Sequence, residues 1–572
     1  MAIKSKRWEI SPALPESAKR TFADYPDVHP VIAQILYNRG FTDPQSALAF
    51  VRGDVTFGDP FKMEGMAKAV SRLRDAIKRK ESIVVYGDFD ADGVTSTTLL
   101  VTALKALGAN VRPYIPHRVD EGYGLNNDAL IKLAKQGAQV VVTVDCGIRS
   151  VAEVEVGQQA GLSMIVTDHH SVGPELPHAW AVINPKQAGC KYPEKMLAGV
   201  GVTYKLVEAL WKATTANSRH EPPFPVTDLL DLVAIGTVAD LVPLDSAENR
   251  KLVIEGLKVL RKANRLGLRA LMEVAGITPA QISATNIGFI IGPRINAAGR
   301  LESAMTAYHL LSTDDRIEAA THAQKLQELN ETRQKLTRDM QEYARTLAGV
   351  ESGDVPLIFA ADANFKQGIV GLVAGRLTEE FYRPSIVIQR GEEESHGSCR
   401  SILEFNITEA LDQCADLLIR HGGHAQAAGF AIHNDNLPEF RGRMQEIATN
   451  KLTGQDLRPH LTVDAVVPLH HLNMRLHDAL SSLEPCGHGY PAPILATRKL
   501  RVVDCRTVGK DGAHLKLKLT DGSLEQDAIA FRFGDMLHDL PPVVDVAYSL
   551  EVNEWNGNRT LQLNVSDIRA PA

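Results

Sequence analysis

Three short apolar runs of this chain stop abruptly at acidic or imidazole residues, and that coincidence restricts the fold more than any other feature. Ile83-Val84-Val85-Tyr86 runs into Gly87-Asp88-Phe89-Asp90-Ala91-Asp92-Gly93, Val140 to Val144 into Asp145-Cys146-Gly147, and Met164 to Thr167 into Asp168-His169-His170. Apolar, β-branched runs closed by Gly and Asp are expected to be buried strands of a parallel sheet. In an open α/β sheet the ligand crevice lies outside the carboxyl ends of the strands. Carboxylates and imidazoles from several strands are therefore expected around one crevice. Uncompensated, they would repel one another and lose solvation. Divalent metal ions are the simplest compensation.

A single Asp at a strand end is ordinarily a helix cap, and three carboxylates with period two can form a calcium loop. The calcium reading fails: counted from Asp88, Gly93 falls at the required sixth position, but the twelfth is Leu99 instead of Glu. Mixed carboxylate and imidazole ligation suits Mn²⁺ or Mg²⁺ better than zinc. Asp168 beside His169 offers a carboxylate to orient the imidazole. With this many ligands, two ions sharing a bridging carboxylate are expected, an arrangement suited to phosphoester hydrolysis.

At 572 residues the chain exceeds one core and should hold three or four domains. Strand–helix–strand alternation from about 68 to 190 predicts βαβ units, with helices over 93–107, 127–136 and 151–160. An apolar helix over 229–239 delivers Asp240. Residues 302–350, dense in Gln, Glu, Lys and Arg, read as a long, solvated connecting helix. A second α/β unit spans 351–455, and 1–56 reads as a helical segment. From 456 onward, runs such as Leu515-Lys516-Leu517-Lys518-Leu519 alternate with period two between Asp-Gly and Asn-Gly turns, which predicts a small β-barrel.

The formal charge of −7 excludes a uniformly basic coat for nucleic acid, but not a local basic channel. Residues 498–518 carry a net +5, with Lys516 and Lys518 on one strand face. Such a face either tracks a single-stranded backbone or guards a strand edge. The six cysteines form no CxxC pair, there is no apolar run of membrane-spanning length, and residues 1–9 lack the apolar core of a secretory signal. A cytoplasmic protein with reduced thiols is expected.

Asp88-Phe89-Asp90-Ala91-Asp92-Gly93, Asp145-Cys146-Gly147, Asp168-His169-His170 and Gly236-Thr237-Val238-Ala239-Asp240, in that order, resemble the motifs of the DHH phosphoesterase superfamily. Ile115-Pro116-His117-Arg118, Gly292-Pro293-Arg294-Ile295-Asn296-Ala297-Ala298-Gly299-Arg300 and Gly422-Gly423-His424-Ala425 are similar to motifs of its RecJ subfamily of single-stranded-DNA-specific 5′→3′ exonucleases. The resemblance covers nearly the whole chain. It implies a DHH domain over 57–301, the connecting helix, a DHHA1 domain over 351–455 and an OB-like barrel over 456–572. It implies Asp90, Asp92, Asp145, His169 and Asp240 as ligands of Mn²⁺ or Mg²⁺, with Asp145 the bridge. Asp88 and His170 would be further ligands or touch the scissile phosphate. Arg118, Arg300, Ser398 and Arg400 would hold a terminal 5′-phosphate, with Gly423 beside it, and His424 would reach the scissile phosphate. Arg300 read without the resemblance pairs with Glu302 or belongs to the domain interface. Lys516 and Lys518 would contact the strand.

The implied activity is hydrolysis of single-stranded DNA from the 5′ end to 5′-mononucleotides, in recombination and repair. A monomer is implied, with single-stranded-DNA-binding protein as partner. The alternatives are a phosphatase or nanoRNase of small substrates, or a non-catalytic replication-fork scaffold. Asn364-Phe365-Lys366 stands where many relatives carry a Trp-His pair, which removes aromatic stacking there.

Overall fold

The computed structural model describes residues 6–118, 120–215, 223–350, 355–555 and 558–571. The chain forms two compact units, one of residues 56–457 with 487–489, the other of 1–55, 458–486 and 490–572.

The first unit contains a wholly parallel sheet in the order Asn110–Tyr114, Ser82–Tyr86, Val140–Thr143, Ser163–Thr167, Ala181–Ile183. Ile83 to Tyr86 and Val140 to Val142 are fully buried. Helices cover both faces, so these strands show no polar alternation. The first strand in sequence pairs with the second on one side and the third on the other. The direction of winding therefore reverses between Ser82–Tyr86 and Val140–Thr143, where a crevice opens. Those two strands deliver Asp88 and Asp145. Helix Ala91–Ala106 starts within the Asp-rich loop and is buried on nearly every side.

The expected connecting helix is two helices, Met305–Ser312 and Arg316–Ala348. The break follows from Asp315, whose carboxylate accepts the backbone N–H groups of Ile317 and Glu318 at 2.7 and 2.9 Å and starts a new helix. Nor is the second helix merely solvated. Ala319, Ala323, Leu326, Leu329, Met340 and Ala344 form a buried stripe. Their spacings of three, four and eleven keep to one helix face, diluted in sequence by the charged residues between.

A second sheet of this unit has the order Leu418–His424, Ala427–His433, Glu394–Arg400, Ser385–Arg390, Ile358–Asp362, with only the last pair parallel. Ile358, Ala360 and Val387 pack against helix Gln367–Phe381. Phe359, Ile386 and Ile388 pack toward helix Leu437–Leu452. The Gly422-Gly423 pair lies in the edge strand, not in a turn.

In the other unit, strands Leu495–Val508, His514–Thr520, Glu525–Ala530, Asn558–Arg569 and Val543–Trp555 close into a barrel, because the first also pairs with the last. Closure removes exposed edges. Leu515, Leu517 and Leu519 point into the core. The N-terminal segment has the expected helices Glu16–Ala23, Pro30–Asn38 and Pro44–Arg52. It also has an unexpected strand, Arg7–Ile10, paired in parallel with His460–Val463. Four residues are too few to display a period. Among the described residues no helix is long and apolar enough to cross a membrane.

Candidate metal centre

Each of the three expected strand ends brings its acidic or imidazole group to the crevice. Asp90 N-caps helix Ala91–Ala106, accepting the N–H groups of Asp92 and Gly93 at 2.9 and 3.1 Å. The carboxylate of Asp92 accepts Gly199 N–H at 2.6 Å and Val200 N–H at 2.8 Å, so the start of helix Gly199–Thr215 fixes it. Asp145 takes a left-handed backbone, φ 63°, which turns the chain just past its strand. A Cβ on Gly199 would come within 2.6 Å of the Asp145 side chain, so only glycine admits it there. Asp240 closes helix Leu230–Ala239.

His169 Nε2 lies 3.2 Å from Asp145, 3.4 Å from Asp240 and 4.0 Å from Asp92. Three groups have ligand atoms close enough to share an ion: Asp145 with His169 and His170, Asp92 with His169 and Asp240, and Asp88 with Asp90 and Asp145. Asp145 and His169 each belong to two of them; of the two, the carboxylate, with two oxygens, is the one able to bridge a pair of ions. Asp88 Oδ1, Asp145 Oδ1 and His169 Nε2 are buried without a hydrogen-bond partner. Such orphaned polar atoms are costly unless something binds them, and hard or borderline divalent cations fit this donor set.

The electrostatics agree with that need. Burial, and then Asp90, push Asp92 up to about 7. Burial, and then Asp92 and Asp90, push Asp240 up to about 9. Asp88 and Asp145 are driven well above the usual carboxylate range, first by burial and then by neighbouring carboxylates. Burial holds His169 down to about 3, leaving its ring neutral and able to ligate. Asp168 differs from the other acids. Burial opposes its ionisation, yet hydrogen bonds from His170 and Ile148 keep it below the ordinary carboxylate value. It accepts backbone N–H groups from His169 and Ile148 and, at 2.7 Å, the ring Nδ1 of His170. The expected orienting carboxylate therefore steers the ring of His170, not that of His169. Burial alone would lower His170, but this bond and the nearby carboxylates raise it.

Arginines from three segments gather beside the cluster. Arg118 stacks over Phe89, 4.6 Å from the ring centre, with Asp88 and Asp90 close enough to favour its charge. Arg300 donates to Gly368 O at 3.1 Å, and Arg400 donates to Cys399 O at 2.8 Å and Ser398 Oγ at 3.4 Å. Burial, then repulsion from Arg118, Arg333 and Arg400, holds Arg300 down to about 9. Gly371 makes room for the group, since a Cβ there would stand 3.0 Å from Ser398 Oγ. Glu302 pairs with Lys325 at 2.7 Å, and no ion pair of Arg300 is found among the described residues.

Three family models match in chain order: the DHH family N-terminal domain over 82–237, the DHHA1 domain over 354–450 and the RecJ OB domain over 463–567. The chain is 39% identical to the single-stranded-DNA-specific exonuclease RecJ of Bacillus subtilis, over 99% of this chain and 71% of that protein. To the exonuclease of the same name from Salmonella typhimurium it is 36% identical, over 95% of this chain and 96% of that one. The chain belongs to the RecJ family. A crystal structure of Thermus thermophilus RecJ in complex with Mn²⁺ superposes with a TM-score of 0.85 at 32% identity, covering 99% of this chain and 80% of that one. The Mg²⁺ complex gives 0.80 at 31% identity, covering 99% and 79%. That relative is thus seen with manganese and with magnesium, and the donor set in this chain is of the kind that holds such ions.

His424 ends the edge strand Leu418–His424. Its side chain is exposed and its backbone O accepts from Thr408 Oγ1; among the described residues it joins none of the three ligand groups. Gly423, in the same strand, packs against Ala427 and Ala428. Lys516 and Lys518 lie in the barrel unit. Several residues of the site were given no role from the sequence. Tyr123 places its hydroxyl 3.2 Å from His170 Nδ1 and its ring edge-on to Phe89. Asn296, inside the Gly292–Arg300 motif, accepts Ala91 N–H at 2.8 Å and ties that helix to the Asp-rich loop. Lys186 stands near Asp168 and Asp240. Arg333, on the long helix, adds to the charge around Arg300; the charge density of that helix reads as solvation and hides one inward-facing arginine.

Proposed function

We propose that this chain removes nucleotides from the 5′ end of single-stranded DNA as 5′-mononucleotides, in recombination and repair in the cytoplasm. It acts as a monomer with single-stranded-DNA-binding protein as partner, and its domains divide near residues 56, 301, 350 and 455. The observation that carries the reading is the arginine group beside the carboxylates. Arg118, Arg300 and Arg400 are half-buried or more, repel one another, and have no ion pair to a carboxylate among the described residues. A dianionic terminal phosphate satisfies them, and guanidinium forks match its oxygens. A chain end held there lies next to a hydrolytic cluster, which makes the enzyme an exonuclease.

Asp90, Asp92, Asp145, His169 and Asp240 would hold two ions of Mn²⁺ or Mg²⁺, which supply Lewis acidity at the scissile phosphate. The protein's own groups do the rest. Asp168 holds the ring of His170 through Nδ1 and so sets how that ring meets the reacting phosphate. Arg118, Arg300 and Arg400, with Ser398, fix the terminal phosphate so that the next phosphodiester meets the cluster.

Arg400→Ala is expected to damage end recognition while sparing the metal cluster. A charge-assisted bond contributes about 1.5–3 kcal/mol, so the preference for 5′-phosphorylated over 5′-hydroxyl oligonucleotides should fall by about tenfold or more. Parallel kcat/KM measurements on both ends test this; an unchanged preference removes Arg400 from end reading.

In the barrel, Arg506 faces Lys516 directly across the strands, a like-charge pair that costs stability unless an anion binds. Lys518 instead lies between Asp504 and Asp527 and pairs with Glu525 at 3.4 Å. Lys516→Glu should therefore weaken binding of long single strands and flatten log affinity against log salt by about 0.7, one phosphate contact, with a smaller effect for Lys518→Glu. Anisotropy titrations over a salt series measure both slopes. Equal slopes in wild type and Lys516→Glu would take the strand off this face. Point variants are preferable to deleting the barrel, because strand Arg7–Ile10 would lose its partner His460–Val463.

A further inference from the structure

Phe289 is 80% exposed and Leu241 67%, and neither serves the core. Phe289 stands in a π-helical turn, Ile287–Ile291, continuous with helix Gly292–Leu301. Such turns recur at functional sites, where the extra residue displaces a side chain from regular packing. Ile287 and Ile291 are buried while Phe289 between them is turned out.

This helix runs the length of the centre. Arg300, near its end, belongs to the arginine group. Asn296, one turn earlier, holds Ala91 of the Asp-rich loop. A Cβ on Gly292 would meet that of Ala239 at 3.3 Å, and one on Gly288 would lie 3.7 Å from Val238 Cγ1. Val238 and Ala239 lead into Asp240, and Leu241 follows with a left-handed backbone, φ 56°. The order along the helix is therefore end-phosphate pocket, Asp-rich loop, Asp240, Phe289. Eleven residues separate Arg300 from Phe289, about 17 Å of helix.

We propose that Phe289 is a stacking shelf for a base of the retained strand, on the 3′ side of the scissile bond. The proposal rests on the exonuclease reading above. A strand with its 5′-phosphate at Arg300 and its scissile bond at the carboxylates continues along this helix toward Phe289. An aromatic face accepts any base, so the contact holds the strand without reading sequence.

The test compares Phe289→Ala and Phe289→Trp with wild type. Phe289 is mostly exposed, so the core stays intact. On a long 5′-phosphorylated oligonucleotide, Phe289→Ala should lose about tenfold in kcat/KM relative to its effect on a 5′-phosphorylated dinucleotide, the size of one lost stack. Phe289→Trp should keep most of the wild-type value. Binding of a phosphorothioate-linked oligonucleotide carrying 2-aminopurine at successive positions gives a readout independent of turnover. Quenching should peak at one internal position in wild type and disappear in Phe289→Ala. Equal losses on long and dinucleotide substrates, a Trp variant as weak as Ala, or an unchanged quenching profile would each overturn the shelf. Failure of the wild type to cut either substrate would refute the exonuclease reading itself, while the quenching profile still decides the shelf.

Discussion

Asp145→Asn is expected to abolish hydrolysis and, at the same time, to make the metal-free protein harder to unfold. Both outcomes follow from one arrangement. Asp145 is buried, shares two of the three ligand groups, and has an oxygen without a hydrogen-bond partner. It is repelled by Asp92, Asp90, Asp240 and Asp88. Removing its charge removes affinity for the ions, so activity should fall further than the about 10–100-fold typical of losing an outer-shell partner. It also removes a buried repulsion from the metal-free fold. The shape is nearly unchanged, which matters because Gly199 leaves no spare room beside it. Activity assays and thermal unfolding, each with chelator and with Mn²⁺, separate the two effects. A variant with wild-type activity, or one that gains as much stability from Mn²⁺ as wild type, would rule out Asp145 as the shared ligand.

The legible parts of this protein are those in which one short stretch carries its own period. Val140 to Val142, buried on both sides, read as a parallel strand because nothing polar interrupts them. The alternation of Leu515, Leu517 and Leu519 with lysines read as barrel wall for the opposite reason. The acidic loops were legible because a strand end is a fixed place in an α/β sheet. Most of what escaped depends on contacts between distant segments. The bond from Ala91 to Asn296 and the room left by Gly199 and Gly371 have no local pattern, while the choice of Asp168 between the adjacent rings of His169 and His170 is set by the turn they share. The buried stripe of Arg316–Ala348 was masked because long charged side chains surround it, and Arg333 was hidden with it.

The metal-free protein is expected to lose stability as pH rises from 6.5 to 8.5, and divalent metal should reverse the loss. The ordinary Asp value is 3.8, and the fold raises Asp92 to about 7 and Asp240 to about 9. A group whose pKa is raised by folding contributes fully below its unfolded value, and the contribution fades as pH rises through the folded one. For these two acids the window runs from near 4 up to about 7 and about 9. His170, raised from 6.5, acts with the same sign. His169, lowered from 6.5 to about 3, acts oppositely, costing stability only as pH falls below 6.5. Above pH 6.5 its influence is therefore nearly constant, and the carboxylates decide the sign. A tenfold change in proton affinity corresponds to about 1.4 kcal/mol, so the loss across this interval should be on the order of a few kcal/mol, seen as several degrees in Tm. Mn²⁺ or Mg²⁺ binds the ionised carboxylates, so the Tm gain on adding metal should be larger at pH 8.5 than at 6.5. Asp240→Asn should flatten the metal-free profile by removing one acid that titrates within the window. A chelated wild-type protein equally stable at both pH values, with an equal response to metal, would show that these carboxylates are not held together against their own repulsion.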